Sequence, residues 1–110
     1  MNIEFHTPVN KVSEHLINNI RNELLELSHL NKSISRAEVM MKVDENFIST
    51  ENKICEIRLT IYGDDLVTHN RMDTFEKSAK EAIKELKRMV KQQAKKQKSP
   101  PDITTSTVKV

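Results

Sequence analysis

Residues 73–97, DTFEKSAKEAIKELKRMVKQQAKKQ, decide how the rest of the chain must be arranged. Phe75, Ala79, Ala82, Ile83, Leu86 and Val90 recur at i, i+4, i+7, i+8, i+11 and i+15, the spacing of a helix with one core-facing side. Lys77, Lys80, Lys84, Lys87, Arg88, Lys91 and Lys95 recur at threes and fours as well. At about 100° per residue they fall in a sector almost opposite the apolar side. One helix therefore carries two stripes. One needs a core, and the other needs water or an anion.

Charge is concentrated in the same place. Residues 77–98 hold nine Lys or Arg and two acids, a local charge of +7. The remaining residues hold nine basic and fourteen acidic groups, or −5, which gives the net +2 of the chain. Such asymmetry speaks to a partner more than the total does. A solvated lysine face is the plain alternative, but interspersed Glu and Lys would solubilise a helix equally well. Here Glu81 and Glu85 sit at the flank of the stripe and not within it.

Upstream, residues 2–6 alternate, with Ile3 and Phe5 on one side, and read as a short strand. Pro8 breaks it, and Asn10 is the expected N-cap of a helix over residues 9–30. Val12, Leu16, Ile17, Ile20, Leu24 and Leu27 form its apolar stripe, while its outer face is mixed and nearly neutral. Leu25 points away from that stripe. Residues 35–44 read as a strand with Ala37, Val39, Met41 and Val43 inward. Residues 53–62 form the clearest strand, with Cys55, Ile57, Leu59 and Ile61 inward and Glu56, Arg58 and Thr60 outward beside Glu38 and Lys42. Gly63-Asp64-Asp65 predicts a tight turn into a strand over residues 66–71, whose inward side is contested between Leu66 and Val67. Asp73 followed by Glu76 resembles a capping box for the second helix.

The order strand, helix, three strands, helix predicts an α+β fold: a two-layer β-α-β-β-β-α sandwich, with an antiparallel-rich four-stranded sheet and both helices on one face. At 110 residues, this is one domain, expected over residues 1–97. Ser99-Pro100-Pro101 cannot continue a helix, and residues 98–110 are expected to be a disordered polar tail. No apolar run approaches a membrane span, no signal peptide is visible, and the single Cys55 suits a reducing cytoplasm.

Catalytic chemistry has little to build on. The one glycine, Gly63, excludes a Gly-rich phosphate loop. His6, His15, His29 and His69 show no metal-ligand spacing, and Cys55 lies at an inward position where a thiol behaves as a small hydrophobe. No nucleophile elbow is present. Neither an enzyme, a cofactor, a metal nor a small-molecule substrate is expected. Base stacking on the sheet is disfavoured as well, since its open face carries Arg58, Thr60, Glu56 and Met40, with Tyr62 only at the edge. What remains is a ladder of cations on a helix, which binds phosphates by charge and spacing and suits a structured RNA.

The whole pattern resembles the ribosome hibernation factor family, the short ribosome-associated inhibitors also described as sigma-54 modulation proteins. The resemblance covers residues 1–97. It rests on Met1-Asn2-Ile3 opening the first strand, on Ala37-Glu38-Val39-Met40-Met41-Lys42-Val43, and on Asp73-Thr74-Phe75 leading into Ala79, Ala82, Ile83, Leu86 and the basic end. Two features depart from the family pattern: an acidic first helix (Glu14, Glu23 and Glu26 against Lys11 and Arg21), and Glu76-Lys77-Ser78 where small residues commonly follow the aromatic. The resemblance implies a double-stranded-RNA-binding-domain-like fold with an added first strand. It also implies a cytoplasmic, non-enzymatic translation inhibitor bound to the small ribosomal subunit in the channel used by mRNA and tRNA. Carried over, Lys77, Lys80, Lys84, Lys87, Arg88, Lys91 and Lys95, with Arg21 of the first helix, would contact 16S rRNA. In a chain of 110 residues, the C-terminal dimerisation domain of long forms is not expected. The competing reading is a protein-interaction module whose basic helix docks an acidic partner.

Overall fold

The computed structural model describes residues 1–98 except positions 9 and 47, with only the backbone at 94–98. The disordered-tail expectation for residues 98–110 falls, beyond Lys98, outside the described residues. The elements run β1 (Asn2–His6), α1 (Glu14–Leu30), β2 (Ile34–Val43), β3 (Lys53–Ile61), β4 (Asp64–Met72) and α2 (Phe75–Lys98). This is the β-α-β-β-β-α order expected from the sequence. The strands lie in the order β1-β2-β3-β4, with β1 parallel to β2 and the other pairs antiparallel.

Every inward residue named for β2 and β3 faces one core. Ala37, Val39, Met41, Cys55, Ile57, Leu59 and Ile61 are buried together with Leu16, Ile20, Leu24 and Leu27 of α1. Phe75, Ala79, Ala82, Ile83, Leu86 and Val90 of α2 complete the cluster. The second layer is therefore made by both helices on the same side of the sheet, with α2 against β3 and β4 and α1 against β2 and α2. Val12 precedes α1 yet still packs on the core, whereas Ile17 is only half-buried.

The boundaries differ in instructive ways. The helix α1 begins at Glu14 and not at residue 9, because Ser13 is its N-cap and accepts from the Leu16 N–H at 3.1 Å. Asn10 instead takes a left-handed turn conformation, φ 59°. In β2 a bulge between Ile34 and Arg36 shifts the register against β3, so Ile34 joins the core although its parity matches the outward residues. The β3–β4 turn is Tyr62-Gly63, not Gly63-Asp64-Asp65. Both turn residues have positive φ, 54° and 81°, as a two-residue hairpin with matching twist requires. Ile61 then pairs with Asp64, and this register settles the contested face of β4. Leu66 packs on the core, while Val67 is 43% exposed.

Ile54 is a second residue that alternation alone would leave in solvent. It lies on the open face of the sheet, opposite Lys42 and Arg71, and is buried there outside the main core. Lys42 thus stands across from Ile54, and Glu38, across from Arg58, bonds to His6.

Candidate nucleic-acid interface

The site is positioned by the start of α2. Thr74, not Asp73, caps it: the Lys77 N–H donates to Thr74 Oγ1 at 3.1 Å. Ser78 is fully buried and satisfies its hydroxyl on the Thr74 and Phe75 carbonyls, so the first turn is fixed from inside. Asp73 is left to pair with Lys77, Nζ to carboxylate 3.1 Å. With Phe75, Ala79, Ala82, Leu86 and Val90 buried, the cations of the stripe must turn outward.

They do not all face the same surroundings. Lys80, Lys84, Arg88 and Lys91 are exposed, and among the described residues none of them makes a hydrogen bond or ion pair. Lys87 leans toward α1 and bonds Glu23 at 3.1 Å, both side chains about two-fifths exposed. On the opposite flank Glu85 accepts from the Asn70 amide of β4 at 3.3 Å. The outer surface of α2 is therefore divided lengthwise. Its cations form the crest and the α1-facing flank, and its acids lie toward β4. Glu81 and Glu85 border a shallow depression with Lys84 and Arg88.

Two of the expected positions stand apart. Arg21 projects from the other flank of α1, over the Phe5 ring of β1 at 5.1 Å, and its guanidinium also donates to Asn18. It lies about 200° around the helix from Glu23, which faces α2, so the fold does not bring Arg21 into the α2 stripe. Lys95 lies among the residues whose side chains are not described.

Like charges at i and i+4, such as Lys80 with Lys84 and Lys84 with Arg88, cost a helix about 0.2–0.5 kcal/mol each. A crest built this way is stabilised by an anion laid along it. Successive i, i+4 cations rise about 6 Å, comparable to the step between neighbouring phosphates of a nucleic-acid strand.

The family model described as Sigma 54 modulation protein / S30EA ribosomal protein matches residues 3–98. The chain belongs to this family. Two solved structures share the S30EA fold seen here. A ribosomal subunit interface protein from Coxiella burnetii superposes with a TM-score of 0.69 at 15% identity, covering 86% of this chain and 98% of that one. The N-terminal domain of Protein Y from Thermus thermophilus gives 0.68 at 15% identity, with 84% and 98% covered. No curated protein sequence matches.

On the open face of the sheet, strand alternation and the parallel register bring Glu4, His6 and Glu38 within 4.8 Å of one another, a convergence that sequence spacing does not reveal. Arg36 already compensates this cluster. It bonds Glu4 and lies 3.8 Å from Glu38, and that bond holds the Glu4 carboxyl below the usual carboxylate range. The His6 Nε2–H donates to the Glu38 carboxylate at 3.0 Å. The arrangement is a cross-strand ion lattice. No helix among the described residues is long and apolar enough to cross a membrane.

Proposed function

We propose that this protein binds the small ribosomal subunit, lays the crest of α2 against 16S rRNA in the channel that mRNA and tRNA use, and acts as a hibernation-type inhibitor of translation. The observation that carries the reading is the row of exposed cations Lys80, Lys84, Arg88 and Lys91, unpaired among the described residues, on the side of α2 opposite the core. Membership of the S30EA family supports it, as does the likeness to the ribosomal subunit interface protein of Coxiella burnetii. Lys77 and Lys87 stand behind the crest in this reading because each already holds a carboxylate, Arg21 stands apart on the far flank of α1, and Lys95 remains a candidate contact from the sequence pattern.

The test removes the crest without touching the fold. Lys80, Lys84, Arg88 and Lys91 changed together to Gln lose four charges, and Gln is nearly as good a helix former as Lys or Arg. Melting should be unchanged, while co-sedimentation with small subunits weakens. The slope of log affinity against log salt should become shallower by about 3–4, since each of the four phosphate contacts contributes about 0.7–0.9. Lys42→Gln with Arg58→Gln, on the open sheet face, is the control. A crest variant that pellets with ribosomes as the parent does at moderate salt sinks this reading. Binding that resists nuclease but follows an acidic protein would favour the adaptor reading instead.

A further inference from the structure

The wall of α1 that faces α2 is acidic. Glu23 holds Lys87 across the inter-helix groove at 3.1 Å. One turn further along, Glu26 lines a cleft of about 300 Å³ whose floor is Leu27 and Val90 and whose far rim is Lys87 and Lys91. A phosphate entering this groove would have to displace Glu23 from Lys87 and then lie beside two carboxylates, both well within the ~8–10 Å over which charge is felt at ordinary salt.

We propose that Glu23, with Glu26 behind it, sets the affinity of the RNA-binding face: it acts as a built-in competitor for phosphate, takes Lys87 out of the contact set and confines the RNA backbone to the outer crest of α2. The inference rests on the proposed RNA-binding role of α2 and adds which of its cations are withheld and by what. Lys84 and Lys87 are the same residue type on the same helix. They differ in what α1 places opposite: among the described residues no side chain of α1 pairs with Lys84, whereas the Glu23 carboxylate holds Lys87. Because the pair joins two helices that are already packed through Leu24, Leu27, Leu86 and Val90, freeing Lys87 does not require the fold to open.

The experiment is a double-mutant cycle read by binding to purified small subunits across a salt series. Glu23→Gln keeps the side chain's size and the helix propensity while removing the competitor. It should bind several-fold tighter than the parent, with a salt slope steeper by about one, the signature of one added phosphate contact. Lys87→Gln alone should bind close to the parent, because its charge is already engaged. Lys87→Gln added to Glu23→Gln should erase the gain. Glu26→Gln should give a smaller gain than Glu23→Gln. Melting of every variant is followed, and a Glu23→Gln protein that melts with the parent is the one that counts; Glu23→Ala serves as a second route to the same charge loss. Unchanged affinity and slope in both position-23 variants overturn the inference, as does a gain that survives Lys87→Gln. If the crest variant of Lys80, Lys84, Arg88 and Lys91 loses binding while the position-23 variants are neutral, this inference fails and the RNA-binding role stands. If the crest variant binds normally, the RNA-binding role itself fails.

Discussion

Cys55 pairs with Met41 on one neighbouring strand and Asn70 on the other, and its side chain is fully buried on the core face. Burial disfavours the thiolate, and the nearby Glu56 carboxylate adds to the effect, so the pKa is pushed up to about 12 from an ordinary 9.0. The folded value lies above the unfolded one. The stability it contributes is therefore full below about pH 9 and is lost as pH rises from there toward 12. Denaturant unfolding of the parent and Cys55→Ala at a series of alkaline pH values should show the parent losing stability faster over that window. A water-soluble thiol reagent should label the native parent slowly and the unfolded chain fast; rapid native labelling would place Cys55 on the other face. At this scale most of the core was legible in the sequence, because alternation and helical period name buried residues from their immediate neighbours; Ile34, shifted by a bulge, and Ile54, buried on the open face, are the exceptions. The standing of each lysine was not. Glu23 and Lys87 are 64 residues apart, and only the packing of α1 on α2 makes them partners.

Helix starts show where local rules compete. Asn10 and Asp73 are both good capping residues, and each stands near the first apolar residue of a helix. The cap goes instead to Ser13 and Thr74, the residues directly before the first helical positions that the core fixes in place. Thr74→Ala removes the acceptor of the Lys77 N–H and should cost about 1 kcal/mol. In a domain of this size that lowers the melting temperature by roughly 4–8 °C. Asp73→Ala removes only an exposed ion pair with Lys77 and should shift melting by much less. Equal losses in a thermal melt would show that Asp73 shares the cap. Strand β4 was the least legible element, since Leu66 and Val67 are adjacent and the remaining residues are polar. Its face is set by the two-residue turn at Tyr62-Gly63. One residue more in that turn would send Val67 inward and Leu66 out.

As a whole the molecule presents two unlike surfaces. The open side of the sheet is a mixed lattice in which Arg36 serves Glu4 and Glu38, His6 serves Glu38, and Arg71 serves Asp44 at 3.1 Å, and its exposed cations Lys42 and Arg58 are interspersed with acids. The helical side carries the α2 crest, whose cations Lys80, Lys84, Arg88 and Lys91 are exposed and unpaired among the described residues, with Leu30 exposed at the end of α1. An anionic partner therefore meets a row of cations on the helical side and a mixture of both signs on the sheet. This predicts a lysine footprint. With small subunits in excess, acylation of Lys80, Lys84 and Lys91 should be suppressed, while Lys42, exposed on the sheet, reacts at its free-protein rate. Lys87 should change less than Lys84, because Glu23 engages it before and after binding. Raising the salt until the complex dissociates should restore reactivity along the crest in step with release, as a phosphate-driven contact demands. Protection of Lys42 with an unprotected crest would place the partner on the sheet and reverse the assignment of the two faces.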